Sequence, residues 1–219
     1  MTTILAQVIL LQDRSAVCLV QHSSLMFGPP SPPFKKGPRE HAIDLGGDAT
    51  ANYAPFVPCP QRQVARLVGL ASVTCDDVVC DLGCGDAGAL CEITRLTGCS
   101  GLGCDVDSRL LELGRSRIAA QKLNIDLSHQ LIEVYMQSER FKRATVLFVA
   151  LETGMLAQLA PELDSFLDAA PGNRILSQRF QVPGLECNMQ IPDCPHDADD
   201  CTAESQYFPS LGPAFLYVR

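Results

Sequence analysis

The chain has no apolar run long enough to cross a bilayer. Its longest early stretch, residues 4–11, meets Gln12, Asp13 and Arg14 at once, far short of the roughly 20 residues a spanning helix needs. No positive residue precedes that stretch, and Asp13 adjoins the first arginine, which is the pattern of neither a secretory signal nor an arginine-rich presequence. Paired cysteine spacing is missing too. The 11 cysteines therefore read as reduced thiols of an intracellular protein, cytoplasmic or mitochondrial, rather than as a disulfide framework. Cys187, Cys194 and Cys201, with His196 among them, do not have the spacing of a zinc module, so no metal is expected. Positive charge is scarce: 17 Lys and Arg stand against 25 Asp and Glu, a net charge of −8. That balance argues against nonspecific binding to nucleic acid or anionic membranes, and accommodates lysine-bearing protein partners more easily.

What is present fits one domain with an appendage. A chain of 219 residues that is 47% hydrophobic can bury a substantial core. Residues 1–52 read as an N-terminal extension, with a short hairpin possible over 8–20 and a proline-rich linker over 28–38. Residues 53–219 then alternate strand and helix. Helical spacing covers 61–70 behind Pro60, 87–97, a segment from Leu110 to before Asn124, and 155–167. A short apolar run at 78–82 reads as a strand, and 101–105, 126–132, 145–150, 174–180 and 214–218 read as the strands that follow. The expected fold is α/β and Rossmann-like: a mainly parallel sheet with an antiparallel C-terminal strand and helices on both faces. Ligand is then expected at the carboxyl ends of the strands.

The richest stretch is Asp77 to Asp107, where Asp-Leu-Gly-Cys-Gly-Asp-Ala-Gly joins a strand to a helix and Gly-Leu-Gly-Cys-Asp-Val-Asp closes the next strand. Gly83, Gly85 and Gly88 spell G-x-G-x-x-G, and Asp105 lies where a ribose-binding acid is expected, so NAD is the first candidate. The charges oppose it. A pyrophosphate at the turn would meet Asp81 and Asp86, with no Lys or Arg between Asp76 and Glu92 to offset them. S-adenosylmethionine carries no phosphate, and its ammonium and sulfonium suit a carboxylate such as Asp81. Asp105 can accept from both ribose hydroxyls. Gly83, Cys84 and Gly85 in the turn and Val106 beyond Asp105 complete the candidate cofactor set.

Asp-Leu-Gly-Cys-Gly-Asp resembles the cofactor motif of class I S-adenosylmethionine-dependent methyltransferases. Tyr-Ala-Pro-Phe-Val-Pro-Cys-Pro-Gln-Arg-Gln-Val from Tyr53, and Asn-Arg-Ile-Leu-Ser-Gln-Arg-Phe ending at Phe180, resemble segments of one branch. That branch comprises the mitochondrial protein-lysine methyltransferases of the ATP synthase c-subunit and the adenine nucleotide translocase, with their bacterial relatives. The likeness runs from Tyr53 to Phe180 and includes a terminal strand. It implies methyl transfer from S-adenosylmethionine, with a protein lysine as the preferred acceptor. Two departures stand out. The third glycine of the motif falls on Ala87, with Gly88 one place late, and Leu151 precedes Glu152 where the family has proline before an acidic or amide residue.

The remaining candidates sit at strand ends. Glu133, after the third strand, matches the family's adenine-facing acid or is an exposed loop acid. Glu152, after the fourth strand, is the catalytic candidate: it orients or deprotonates an amine, or merely caps the next helix. Asp107 is a ligand or a helix cap. Arg179 and Phe180 end the fifth strand near the same rim, with core packing as the plain reading of Phe180. Tyr53, Phe56 and Phe148 either wall an acceptor pocket or belong to the core. The acidic segment 185–205 is a lid, a docking loop or a surface connection. Three rivals remain open: a noncatalytic adenosylmethionine-binding or partner-binding protein, a small-molecule methyltransferase and, least favoured, an NAD-dependent oxidoreductase.

Overall fold

The computed structural model describes residues 56–194 and 210–219. The expected extension 1–52, Tyr53, His196 and Cys201 lie outside them.

Among the described residues, thirteen elements follow one another. They are α1 (Gln61–Ala71), β1 (Val78–Leu82), α2 (Gly88–Thr97), β2 (Ser100–Asp105), α3 (Ser108–Gln121), β3 (Ile125–His129), α4 (Ile132–Met136), a 3-10 turn (Phe141–Arg143), β4 (Val146–Val149), α5 (Thr153–Ala169), β5 (Arg174–Gln178), β6 (Met189–Ile191) and β7 (Ala214–Val218). The strands form one sheet in the order β3-β2-β1-β4-β5-β7-β6. β1 to β5 pair in parallel, and β7 runs antiparallel to both β5 and β6. Strand order reverses at β1, which lies between β2 and β4. A ligand crevice opens at such a reversal, beyond the carboxyl ends of the strands.

The core has two halves because the strands are covered on both faces. Along β1 the side chains alternate: Val79 joins Val64, Leu67, Leu90, Ile93 and Leu111 on one face, while Cys80 and Leu82 join Tyr135, Leu156, Leu159 and Leu163 on the other. Proline starts α1 and glycine stops α2. Pro60 occupies the N-cap of α1, and Gly98 closes α2 with φ +74°.

Three of the differences from the sequence reading have a tertiary reason. The third strand ends at His129 and not at 132, because 132–136 coil into α4 and bury Tyr135 and Met136. The fifth strand stops at Gln178: Arg179 turns to φ +69°, and its N–H donates to the Pro213 carbonyl at 2.8 Å. Within 185–205, residues 189–191 form β6, an edge strand the sequence pattern did not signal. No helix among the described residues is long and apolar enough to cross a membrane.

Candidate functional site

β1 brings Asp81 to the centre of the sheet and then breaks into a turn at Gly83 (φ +82°) and Gly85 (φ +53°). Both are conformations that glycine adopts without penalty. Gly85 also has no room for a side chain, since a Cβ there would run into the Phe56 ring. Five amides of the turn are already engaged. Gly83 and Cys84 both donate to the Cys104 carbonyl, at 3.0 and 2.9 Å, and Ala87 donates to the Cys84 carbonyl at 2.8 Å. Gly85 N–H donates to Asp105 Oδ2 at 2.7 Å, and Gly88 N–H to Asp86 Oδ1 at 2.9 Å. A pyrophosphate is held by free amides of this kind, and these five are already taken by the protein.

The fold balances one of the two acids that the sequence left unopposed. Asp86 is not unopposed: Arg117 on α3 pairs with its carboxylate at 2.8 Å and also donates to its backbone carbonyl at 2.6 Å. The partner comes from 31 residues away, so the local count of Lys and Arg missed it. The uncompensated negative charge at the turn therefore belongs to Asp81 and Asp105.

Asp81 is 3% exposed. Among the described residues no donor meets its carboxylate. Burial first, then the charges of Asp105 and Asp86, pushes its carboxyl well above the ordinary range. A buried acid without a partner is an unfavourable arrangement that a bound cation would relieve. The thiols around it are buried side chains that fill the core. Burial raises Cys80 and Cys84 well above the usual thiol range and pushes Cys104 up to about 12, which suppresses the nucleophilic thiolate.

Asp105, half-buried at the end of β2, accepts from Gly85 N–H through Oδ2 and from Asp107 N–H through Oδ1 at 2.8 Å. Each carboxylate oxygen has two lone pairs, so both keep capacity for a hydroxyl donor. Val106 follows, with its carbonyl 2.9 Å from His129 Nε2. Asp107 has the capping role: it is the N-cap of α3 and accepts from Arg109 and Leu110 N–H.

The exposed Gly83 is flanked by two apolar side chains. A Cβ on it would lie 3.2 Å from Leu151 Cδ2 and 3.9 Å from Ile132 Cδ1. α4 and the connection after β4 thus converge on the turn. Glu133 is the residue after Ile132, exposed in the first turn of α4 and not directly at a strand end as expected. Glu152 is exposed at the N-cap of α5, and its side chain makes no capping bond. Of the aromatic candidates, Phe56 lies against the turn, whereas Phe148 is buried in the core at 1% exposure. Phe180, read either as a rim residue or as core packing, is 43% exposed, because the turn at Arg179 carries it outward. Among the described residues, no cluster of three His, Cys, Asp or Glu side chains could hold a metal.

Sequence reasoning missed Arg117, Ile132 and the contact of Phe56 with Gly85. For Arg117 a faint signal existed: Gly114 interrupts a helical pattern one turn before it, and a glycine there often marks a close approach.

The parallel sheet that reverses at β1, its antiparallel end and the acid-flanked glycine turn define the class I methyltransferase fold. Among solved structures, an RNA methyltransferase from Salinibacter ruber, in complex with S-adenosylhomocysteine, aligns with TM-score 0.59 and 21% identity over 74% of this chain and 92% of that one. A precorrin-6y C5,15-methyltransferase from Geobacter metallireducens aligns with TM-score 0.51 and 15% identity over 74% of this chain and 90% of that one. In sequence, the chain is 26% identical over 133 residues to a protein-lysine N-methyltransferase of Saccharolobus islandicus, which is 60% of this chain and 80% of that protein. No family model matches the chain.

Proposed function

We propose that the chain is an S-adenosylmethionine-dependent methyltransferase whose acceptor is a protein lysine amine. The observation that carries the cofactor is Asp81, a buried carboxylate that no donor meets among the described residues, beside a turn with five amides engaged by the protein. Such a site suits a cationic, phosphate-free ligand. Asp81 attracts the amino-acid end, directly or through water, while Gly83, Cys84 and Gly85 let the ligand approach the backbone. Asp105 accepts from the ribose hydroxyls, and Val106 and Glu133 flank the adenine.

When bound, the cofactor supplies an electrophilic methyl group on a sulfonium. The chain's own task is to place a neutral amine in line with it, since an ammonium has no lone pair. The amine nitrogen would take the methyl group as the C–S bond breaks, with S-adenosylhomocysteine as the leaving product, and would then lose its extra proton to solvent. Glu152, exposed and free of a capping bond, is suited to orient an incoming lysine. As a carboxylate it also raises the pKa of a nearby amine, so it serves as a base only where the proton can pass on to solvent.

A lysine acceptor is supported by the similarity to the Saccharolobus enzyme and by the net charge of −8, which favours basic partners. Incubating the protein with cell extract and methyl-labelled cofactor, then separating macromolecules from small molecules, tests the acceptor. Label should enter protein, on lysine. Label confined to small molecules would sink the lysine reading, and binding without any transfer would point to a noncatalytic adenosylmethionine-binding protein.

A further inference from the structure

Ala87 stands where the methyltransferase motif carries its third glycine. It adopts φ +55° with its side chain fully buried, in a left-handed conformation that a Cβ disfavours. Two groups on α3 hold it there. Gly114 lets that helix come so close that a Cβ on it would lie 3.1 Å from the Asp86 carbonyl and 3.2 Å from Ala87 Cβ. One turn further along the same face, Arg117 donates through Nη1 to the Asp86 carbonyl at 2.6 Å and through Nη2 to Asp86 Oδ2 at 2.8 Å. The other carboxylate oxygen, Asp86 Oδ1, accepts from Gly88 N–H at 2.9 Å. The guanidinium fork therefore grips the peptide that enters Ala87, and Asp86 passes the grip to the amide that leaves it. Returning Ala87 to negative φ would swing the Asp86 carbonyl away from Arg117.

We propose that Arg117 is a positioning residue for the cofactor turn, holding by contact the conformation that a glycine at position 87 would adopt unaided. The inference rests on reading this turn as the adenosylmethionine site. Arg117 acts through Asp86, and its value depends on the residue at 87. With alanine there, the clamp keeps Gly83 to Gly88 in register with Asp105; with glycine, the turn no longer needs it. Lysine cannot replace it fully, because one ammonium cannot grip a carbonyl and a carboxylate in the geometry of a fork.

The test is a double-mutant cycle on the full chain: wild type, Arg117→Met, Ala87→Gly and the double variant, each checked for fold by circular dichroism and titrated with S-adenosylhomocysteine. Arg117→Met should raise Kd by about tenfold or more in the alanine background. Combined with Ala87→Gly, the same change should raise Kd by less than about threefold. A purely structural arginine would lower Tm in both backgrounds alike and would not be rescued. Equal losses of affinity in the two backgrounds, or no loss in either, overturn the proposal. Should Arg117→Met not fold, Arg117→Lys takes its place in the same cycle, with a smaller loss and the same rescue. If the wild type does not bind S-adenosylhomocysteine, the functional reading fails, and amide hydrogen exchange at Gly85 and Ala87 judges the clamp alone. Arg117→Met should then speed exchange by about tenfold with Ala87 and much less with glycine, and unchanged exchange overturns the clamp.

Discussion

At the scale of single residues, Asp81 carries the most consequence. Burial and neighbouring charge raise its carboxyl pKa in the fold. An acid raised in this way favours folding most when protonated, below the ordinary value near 3.9, and that contribution is lost as pH rises through the folded pKa. In the ionised form it is an uncompensated buried charge. Asp81→Asn should therefore raise the stability of the unliganded protein at pH 8, on the order of 1 kcal/mol in a urea titration, while cofactor affinity is lost. A variant that is both less stable and still binding would remove Asp81 from its assigned place. The cysteines give a second prediction. Exposed Cys75 should react with an alkylating reagent at pH 8, while Cys80, Cys84 and Cys104 stay unmodified until the chain unfolds, as mass spectrometry of digests would show. Both roles were partly visible in the sequence, since a carboxylate at a strand end and a cysteine within an apolar run carry their environments with them. Arg117 was not, because its partner Asp86 is 31 residues away, and only folding brings α3 against the turn.

At the scale of elements, the amino ends of three neighbouring strands are joined by one polar network. Asp77, just before β1, accepts from Thr74 N–H at 2.9 Å and from Thr145 Oγ1 at 2.8 Å, and pairs with Arg174 of β5. Burial alone would raise its carboxyl, but Thr74, Thr145 and Arg174 together hold it below the ordinary carboxylate value. A depressed acid contributes stability above its unfolded pKa near 3.9 and loses it as pH falls through the folded pKa. Removing one donor with Thr145→Val should cost about 1–2 kcal/mol at pH 7. It should also move the acid unfolding limb to higher pH, as circular dichroism across a pH series would record. The elements themselves were unevenly legible. β1 and β7 stood out as short apolar runs between breakers. β3 was overextended, because the apolar pair Leu131 and Ile132 reads as its end, whereas the burial of Tyr135 and Met136 starts a helix there. β6 gave no signal at all: its residues pair only with β7, far along the chain, and Met189 is 54% exposed.

At the scale of the whole molecule, topology explains why residues from separate segments share one rim. The order reversal at β1 puts the carboxyl ends of β2 and β4 on either side of the turn. Asp105 and α4 therefore come from one side, while Leu151 and Glu152 come from the other. The alternation of strand and helix was enough to anticipate this rim from sequence, but not which side chains meet on it. Phe148 went to the core and Phe180 to solvent, and nothing local distinguished them. With a protein lysine as the acceptor, as proposed, the net charge of −8 predicts that methylation of a basic substrate weakens as salt is raised from low to physiological strength, through a higher KM more than a lower kcat. A salt-independent KM would remove long-range charge from substrate recognition.

The central claim is that the glycine turn holds a cationic cofactor free of phosphate. Calorimetric titration of the purified chain with S-adenosylmethionine, S-adenosylhomocysteine and NAD tests it most directly. Both adenosyl ligands should bind and NAD should give no heat; binding of NAD without either adenosyl ligand would contradict the account.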